Sequence, residues 1–194
     1  LAPFDDEMAK LAENVLINKG IHLFNNNSVV EYKNEGKEAI LEDGTILNID
    51  FTVMAVGVYP DIELAQTAGL KIGETGAIWT DANMRTSNEY IFAGGDAVEV
   101  KEFITQTATK IPLAGPANRQ GRIIADNING LGKTYKGSLG SSVLKIFDYT
   151  AAATGLNARM LTQKGLEFQE VIIHRGDHAS YYPGATEITL KLLF

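Results

Sequence analysis

The sequence predicts a mixed fold, with an α/β part followed by an α+β part. In the first part, two short apolar runs, residues 51–56 and 90–93, each end at glycine, as strands do that are buried on both faces of a sheet. A polar, glycine-rich stretch, residues 130–140, then separates this part from further strand patterns. At 194 residues and 45% hydrophobic, the chain can bury a core and would make one or two domains.

The first seventy residues predict two helices and a series of strands. Helical spacing of apolar residues begins after Asp5 and Asp6, which are candidate caps, and ends near Gly20. The apolar positions of this helix are Met8, Leu11, Ala12, Val15 and Leu16. Strand patterns cover residues 21–24, 29–32, 38–41, 46–49 and 51–56, and residues 42–45, Glu-Asp-Gly-Thr, predict a hairpin turn. A short helix is predicted at residues 61–68, capped by Asp61 and closed by Gly69.

The remaining elements follow the same rules. Residues 77–80, which hold the only tryptophan, predict a short strand, whereas residues 97–110 give no clear pattern. A longer helix is predicted to have Pro116 in its first turn and Gly130 at its end. Its apolar face consists of Leu113, Ala117, Ile124 and Ile128. Beyond the glycine-rich stretch, strands are predicted at residues 142–149, 167–174 and 188–193, and a helix end at residues 160–165.

Composition excludes several classes of function. The net charge of −7 and the absence of a Lys/Arg cluster argue against a nucleic-acid partner. No apolar stretch has the length of a membrane span and no signal peptide is visible, so we expect no membrane partner and a cytoplasmic location. The chain has no cysteine, which excludes disulfides and a thiol nucleophile within it, and its three histidines lack the spacing of a metal site.

The strongest functional pattern is residues 86–96, Thr-Ser-Asn-Glu-Tyr-Ile-Phe-Ala-Gly-Gly-Asp. Gly94 and Gly95 carry no side chain, so a ligand can approach the backbone closely. Asp96 follows where the predicted strand leaves the sheet. Its carboxylate only accepts hydrogen bonds, which suits a sugar or polyol hydroxyl and repels a phosphate. The alternative is a purely structural role. Gly-Gly-Asp is also the pattern expected where a strand ends in a tight turn and the Asp caps the next segment.

The whole eleven-residue string resembles the second FAD-binding motif of the pyridine nucleotide-disulfide oxidoreductases. The resemblance implies that Asp96 hydrogen-bonds the ribityl chain of FAD. It also implies a two-dinucleotide-binding fold that this chain holds in part, as the carboxyl-terminal portion of a longer flavoprotein. Residues 1–70 would end the NAD(P)H-binding domain, residues 71–135 would end the FAD-binding domain, and residues 138–194 would begin an α+β dimerisation domain.

Gly57 ends the apolar run 51–56 at a place where, in this family, a glycine lets the nicotinamide cofactor pass close to the backbone. Tyr59 and Asp61 replace the Arg and Asn that family members often have around this proline, which leaves the choice of NADH or NADPH open. Taken alone, Gly57 is equally well explained as a glycine that leaves a strand.

Residues 113–122 predict a helix whose start can face a flavin. The free N–H groups and partial positive charge of a helix start would stabilise the negative charge of a reduced isoalloxazine ring. The segment resembles the coenzyme A-disulfide reductases, NADH oxidases and CoA-persulfide reductases of the family. That resemblance places Pro116 and Ala117 at the cofactor and Asn118 at the thiol substrate. An ordinary capped helix with close packing at its glycines is the alternative.

Lys145 and Tyr149 have the spacing of a Lys and a Tyr that reach the flavin and the substrate region in coenzyme A-disulfide reductases. An ammonium can stabilise an anionic flavin, and a phenol can donate a proton to a departing thiolate. Tyr149 is therefore the one possible catalytic residue of this chain. A strand with an exposed Lys and an interfacial Tyr is the alternative, and the aromatic residues in 178–185 predict interface packing.

The resemblance implies a homodimeric oxidoreductase that uses FAD and NAD(P)H to reduce coenzyme A disulfide or persulfide. The reaction would pass through a cysteine outside this chain, so the chain alone would be inactive. Two alternatives stay open: an NADH oxidase or peroxidase, and a non-catalytic dimerisation module.

Overall fold

The structure, a computed structural model, describes residues 3–194 and divides into two compact units, Leu1–Ala12 with Pro60–Phe194, and Glu13–Tyr59. The helices are α1 (Asp6–Asn18), α2 (Glu63–Thr67), α3 (Ala114–Ile128) and α4 (Ala158–Gln163). The strands are β1 (Val29–Lys33), β2 (Glu38–Leu41), β3 (Ile46–Asn48), β4 (Ile78–Trp79), β5 (Val98–Lys101), β6 (Ala108–Thr109), β7 (Ser142–Ile146), β8 (Tyr149–Ala153), β9 (Glu170–Gly176) and β10 (Glu187–Leu193). Within residues 3–194, no helix is long and apolar enough to cross a membrane.

The unit Glu13–Tyr59 contains a three-stranded antiparallel sheet in the order β1-β2-β3. Its second hairpin confirms the predicted turn at residues 42–45. Gly44 adopts a φ of +85° and donates its N–H to the carbonyl of Leu41 at 2.9 Å. The Asp43 carboxylate accepts the N–H of Thr45 at 2.9 Å. Local turn chemistry thus sets this hairpin, because glycine adopts the left-handed conformation at little cost.

Two predicted strands of this unit, residues 21–24 and 51–56, are wrong. Both runs lack strand structure, and Phe51 and Val56 are 80% and 85% exposed. No strand in the described part of the chain pairs with either run. A strand buried on both faces depends on neighbouring strands and covering helices, so an apolar run alone cannot form one.

The second unit is built around a small mixed sheet in the order β4-β5-β6. β4 and β5 are parallel, with Ile78 opposite Val98, and β6 is antiparallel to β5. The buried core of Met84, Val98 and Val100 packs against partly buried apolar side chains of the sheet, of α3 and of the segments beside them. These side chains are Ile78, Ala93, Ile111, Ile123, Ile124 and Tyr135. Residues 97–110, which gave no clear sequence pattern, thus supply the central strand of this sheet.

The predicted buried strand at residues 90–93 is also wrong. Phe92 forms a single antiparallel bridge with Arg85, and Tyr90 is 84% exposed. Among residues 3–194, no longer ladder runs beside this segment. Ala93 nevertheless packs on the core, so the segment enters the interior only at its end, directly before Gly94.

Two antiparallel hairpins complete the unit, β7 with β8 and β9 with β10. The sequence predicted one strand at residues 142–149, whereas the structure turns at Phe147 and Asp148 and pairs Ile146 with Tyr149. Phe147 has a φ of +52°, which is unusual for an aromatic residue and therefore gave no turn signal in the sequence. The predicted strands near residues 167–174 and 188–193 are confirmed as β9 and β10, with shifted ends.

An ionic cluster around Lys191 ties the amino-terminal segment to the β9–β10 hairpin. The ammonium of Lys191 lies 2.9 Å from Asp5 and 2.9 Å from Glu170 and also contacts Glu7. The side chains of Lys191 and Asp5 are 7% and 8% exposed. Asp5 precedes α1 as predicted, but its carboxylate accepts N–H groups from residues 158 and 159 and so caps α4.

The cluster shifts the pKa values of its members. Burial lowers the pKa of Lys191, but hydrogen bonds to Glu7, Glu170 and Asp5 more than offset this and raise it well above the ordinary range. Burial raises the pKa of Asp5, yet the Lys191 contact and the α4 N–H groups bring it below its usual value. The hydrogen bond from Lys191 lowers the pKa of Glu7. All three shifts favour the charged forms.

We expect the melting temperature of the chain to fall on both sides of neutral pH. Carboxylates with lowered pKa stabilise the fold above their ordinary values, 3.8 for Asp5 and 4.5 for Glu7, and that stability is lost as the pH drops through the folded-state values. Lys191 stabilises the fold below its ordinary value of 10.5 and loses this effect at higher pH. Thermal melts of the chain and of Asp5→Asn across the pH range test this. Below neutral pH, the melting temperature of the variant should fall less steeply with pH than that of wild type. An equally steep fall would show that Asp5 does not cause the loss of stability in acid.

Candidate functional site

The Gly94–Gly95–Asp96 turn lies against the middle of α3. Gly95 has a φ of +89° and donates its N–H to the side-chain carbonyl oxygen of Gln120 at 2.7 Å. A Cβ added to Gly94 would stand 2.9 Å from the Cδ1 of Ile124, closer than van der Waals contact allows. The conformation of Gly95 favours glycine, and at Gly94 a larger residue would have to displace the Ile124 side chain of the helix.

Asp96 is exposed at this turn. Its carboxylate accepts no hydrogen bond from the rest of residues 3–194, and a Cβ built on Gly95 would meet no atom within 4 Å. An exposed acceptor-only group, without a partner among the described residues, thus follows a glycine that has open space beside it. This arrangement fits the hydroxyls of a polyol chain such as that of FAD, because each hydroxyl needs an acceptor.

The start of α3 is free of side-chain capping. Its N-cap is Leu113, in extended conformation, and no side-chain hydrogen bond caps the helix. Ala114 and Gly115 are exposed, and Pro116 has no N–H to satisfy. The first turn borders a cleft of about 460 Å³. The free N–H groups at this helix start can therefore interact with a ligand atom that carries partial negative charge, and the small residues leave room for the ligand.

The other predicted cofactor and substrate residues lie on different elements. Asn118 is exposed on α3, beside Ala117. Lys145 on β7 pairs with Thr150, and Tyr149 on β8 pairs with Ile146. Because paired residues of an antiparallel ladder share a face and neighbours alternate, Lys145 and Tyr149 point to opposite faces of this hairpin.

Gly57 belongs to the unit Glu13–Tyr59. It has a φ of +107°, and a Cβ at this position would meet no atom within 4 Å. The conformation favours glycine, and the space beside it is open. Within that unit, Gly57 therefore fits the close passage of a ligand along the backbone.

Sequence reasoning missed the two polar residues that α3 buries, Gln120 and Asn127. Asn127 donates to the carbonyls of Asn83 and Lys133 at 2.8 Å each and accepts the N–H of Lys133 at 2.6 Å. The available signal was their spacing, because Gln120 follows Leu113 by seven residues and Asn127 follows Gln120 by seven more, which places both amides on the face predicted to be apolar. Ile128, which was assigned to that face, is instead 67% exposed.

Comparison with known proteins identifies the family. The family model described as pyridine nucleotide-disulphide oxidoreductase matches residues 1–121 of the 194. The chain belongs to this family. The resemblance stated from residues 86–96 is thereby confirmed, and membership supports FAD and NAD(P)H as the cofactors.

Two relatives are similar to this chain over most of its length. An NAD(P)H sulfur oxidoreductase (CoA-dependent) from Pyrococcus furiosus is 39% identical over 157 residues, which cover 81% of this chain and 36% of the relative. An NADH oxidase from Methanocaldococcus jannaschii is 37% identical over 194 residues, covering 98% of this chain and 42% of the relative. The chain therefore spans well under half of the relatives that it matches.

A solved structure confirms the predicted fold class. The NAD-dependent persulfide reductase from A. fulgidus superposes with a TM-score of 0.96 at 42% identity, over 99% of this chain and 36% of that one. The small sheets and helices described above thus correspond to about a third of that α/β and α+β structure. The division into residues 1–70, 71–135 and 138–194 stays a prediction.

Proposed function

We propose that this chain is the carboxyl-terminal portion of an FAD-dependent NAD(P)H oxidoreductase that reduces coenzyme A disulfide or persulfide. The observation that carries the proposal is the Gly94–Gly95–Asp96 turn, whose exposed carboxylate has no partner among the described residues and follows a glycine with open space beside it. The relatives' similarity over most of the chain supports the same reading. The proposal includes a homodimer, a cytoplasmic location and a reactive cysteine outside this chain, which has none.

Each predicted site residue has a role that its chemistry allows. FAD, when bound, supplies the transfer of two electrons from NAD(P)H to a disulfide. Asp96 would accept hydrogen bonds from the polyol hydroxyls, and the uncapped start of α3, at Pro116 and Ala117, would orient the ring edge. Lys145 would add a positive charge for the same ring, and the backbone at Gly57 would let the nicotinamide cofactor pass closely.

On the substrate side, Asn118 offers an amide that can donate to and accept from a thiol substrate, and Tyr149 offers a phenol. The phenol would donate a proton or a hydrogen bond to the departing thiolate. The opposite orientations of Lys145 and Tyr149 agree with separate roles, one toward the cofactor and one toward the substrate. The thiol chemistry itself requires a cysteine, so this chain alone would be inactive.

The β9–β10 hairpin supports the dimer in this proposal. One of its faces carries Val171, Ile173, Leu190 and Leu192, which pair across the two strands. Their exposure ranges from 43% to 59%, so the apolar face is largely uncovered within the described chain. Exposed apolar faces of this kind mark interaction surfaces.

An NADH oxidase is the second candidate, because the Methanocaldococcus relative with that activity is 37% identical. The two functions differ in the electron acceptor. Stopped-flow reduction of the full-length flavoprotein by NADH and by NADPH, followed by oxidation with coenzyme A disulfide, CoA persulfide, dioxygen or peroxide, distinguishes them. We expect rapid turnover with a CoA acceptor and slow turnover with dioxygen. The reverse order would support the oxidase, and a protein without flavin would support a non-catalytic module.

A further inference from the structure

We propose that Gln120 is a positioning residue of the FAD site, holding the Gly94–Gly95–Asp96 turn so that the Asp96 carboxylate faces the polyol chain. This inference rests on the proposed function. Gln120 touches the protein backbone and acts on the cofactor only through Asp96.

The first step of the argument is the contact itself. Gln120 is 2% exposed, and its side-chain oxygen accepts the N–H of Gly95 at 2.7 Å, across 25 residues of sequence. A buried amide is unfavourable unless it is hydrogen-bonded, so this side chain has a reason to hold its orientation. The short distance agrees with a well-formed bond.

The second step concerns the conformation of the turn. Gly95 adopts a φ of +89°, one of many backbone conformations that a glycine can reach. A second hydrogen bond of this turn, from the N–H of Val98 to the carbonyl of Gly95, is long at 3.4 Å. The contact with Gln120 is therefore the stronger restraint on Gly95, and Asp96 is the next residue along the chain.

The third step concerns the fit between the turn and the helix. A Cβ on Gly94 would lie 3.4 Å from the Cβ of Gln120 and 2.9 Å from the Cδ1 of Ile124. Gln120 and Ile124 lie one helical turn apart on α3 and together form the surface on which the glycines rest. The helix whose start is predicted to face the flavin ring thus also carries the residue that holds the turn.

A double-mutant cycle on the full-length flavoprotein tests this inference. Gln120→Met removes the acceptor at similar volume, and Gln120→Asn keeps an amide that is one methylene too short to reach Gly95. Each should raise the Kd of the apoprotein for FAD about tenfold, the effect of one lost hydrogen bond. In the Asp96→Ala background, each should change the Kd less than about twofold, because the positioned group is gone.

A conservative variant and a control separate positioning from general stability. Gln120→Glu keeps an acceptor at the same reach but also buries a carboxylate, so it should recover only part of the affinity that Gln120→Met loses. Gln163→Met, an exposed glutamine at the end of α4, should leave the Kd unchanged. Circular dichroism of the bound flavin should change in Gln120→Met and Gln120→Asn and be partly restored in Gln120→Glu.

Two results would overturn the inference: an equal increase of the Kd in both Asp96 backgrounds, or no increase when Gln120 loses its acceptor. If one removal variant does not fold, the other still decides the outcome. If neither folds, Gln120 is a folding residue and the inference is wrong. A wild-type protein that binds no FAD would instead contradict the proposed function.

Discussion

Replacing Asp96 with alanine is expected to raise the Kd for FAD about 10- to 100-fold in the full-length flavoprotein. Hydrogen bonds to a charged group contribute about 1.5–3 kcal/mol, and each 1.4 kcal/mol changes an equilibrium constant about tenfold. The Asp96 carboxylate has no hydrogen-bond partner within residues 3–194, so its removal breaks no bond of the protein itself. Fluorescence quenching of FAD on titration with apoprotein measures the effect.

Two further variants make the Asp96 experiment specific. Asp96→Asn keeps one acceptor oxygen and should fall between wild type and Asp96→Ala. Asp50→Ala removes an exposed acid from the unit Glu13–Tyr59 and should leave the Kd for FAD unchanged. The melting temperature of the apoprotein should be similar in all three variants. A Kd for Asp96→Ala within twofold of wild type would show that this carboxylate does not hold the cofactor.

Replacing Lys191 with methionine is expected to lower the free energy of unfolding of the chain by about 3 kcal/mol. Removing one partner of a buried ion pair typically costs about 3–5 kcal/mol, because the remaining charge stays buried without compensation. Here Asp5 would be left buried, while Glu7 and Glu170 are about half exposed and partly screened by water. The expected loss is therefore at the lower end of that range. Urea unfolding at neutral pH measures it.

The matched control for Lys191 is Lys33→Met. Lys33 lies 3.4 Å from Glu31, with both side chains more than half exposed, and such surface pairs contribute less than about 1 kcal/mol. Losses of equal size in the two variants would show that burial of the Lys191 cluster has no special effect on stability. A loss below about 1 kcal/mol for Lys191→Met would lead to the same conclusion.

Features set by local chemistry were predictable from the sequence. The turn at Gly44 follows from Asp-Gly between two alternating strands, and α3 follows from an apolar stripe with Pro116 at its start and Gly130 after its end. The string at residues 86–96 also indicated the family, which the family model confirms. In each case the determining residues lie within a few positions of one another.

Features set by distant residues were not predictable. The apolar runs 51–56 and 90–93 indicated buried strands, yet burial depends on neighbours that a pattern within one run does not specify. Asp5 was assigned to α1 because it precedes that helix, whereas its carboxylate caps α4, more than 150 residues away. Gln120 interrupts an apolar stripe, and only the bond to Gly95 explains why an amide is buried there.

The flavin content of the purified full-length protein tests the central claim most directly. The protein should be yellow and should release FAD on denaturation in a one-to-one ratio with the polypeptide. Asp96→Ala, purified in parallel, should carry clearly less. A colourless wild-type protein that also fails to take up added FAD would contradict the assignment of the Gly94–Gly95–Asp96 turn and the roles that depend on it.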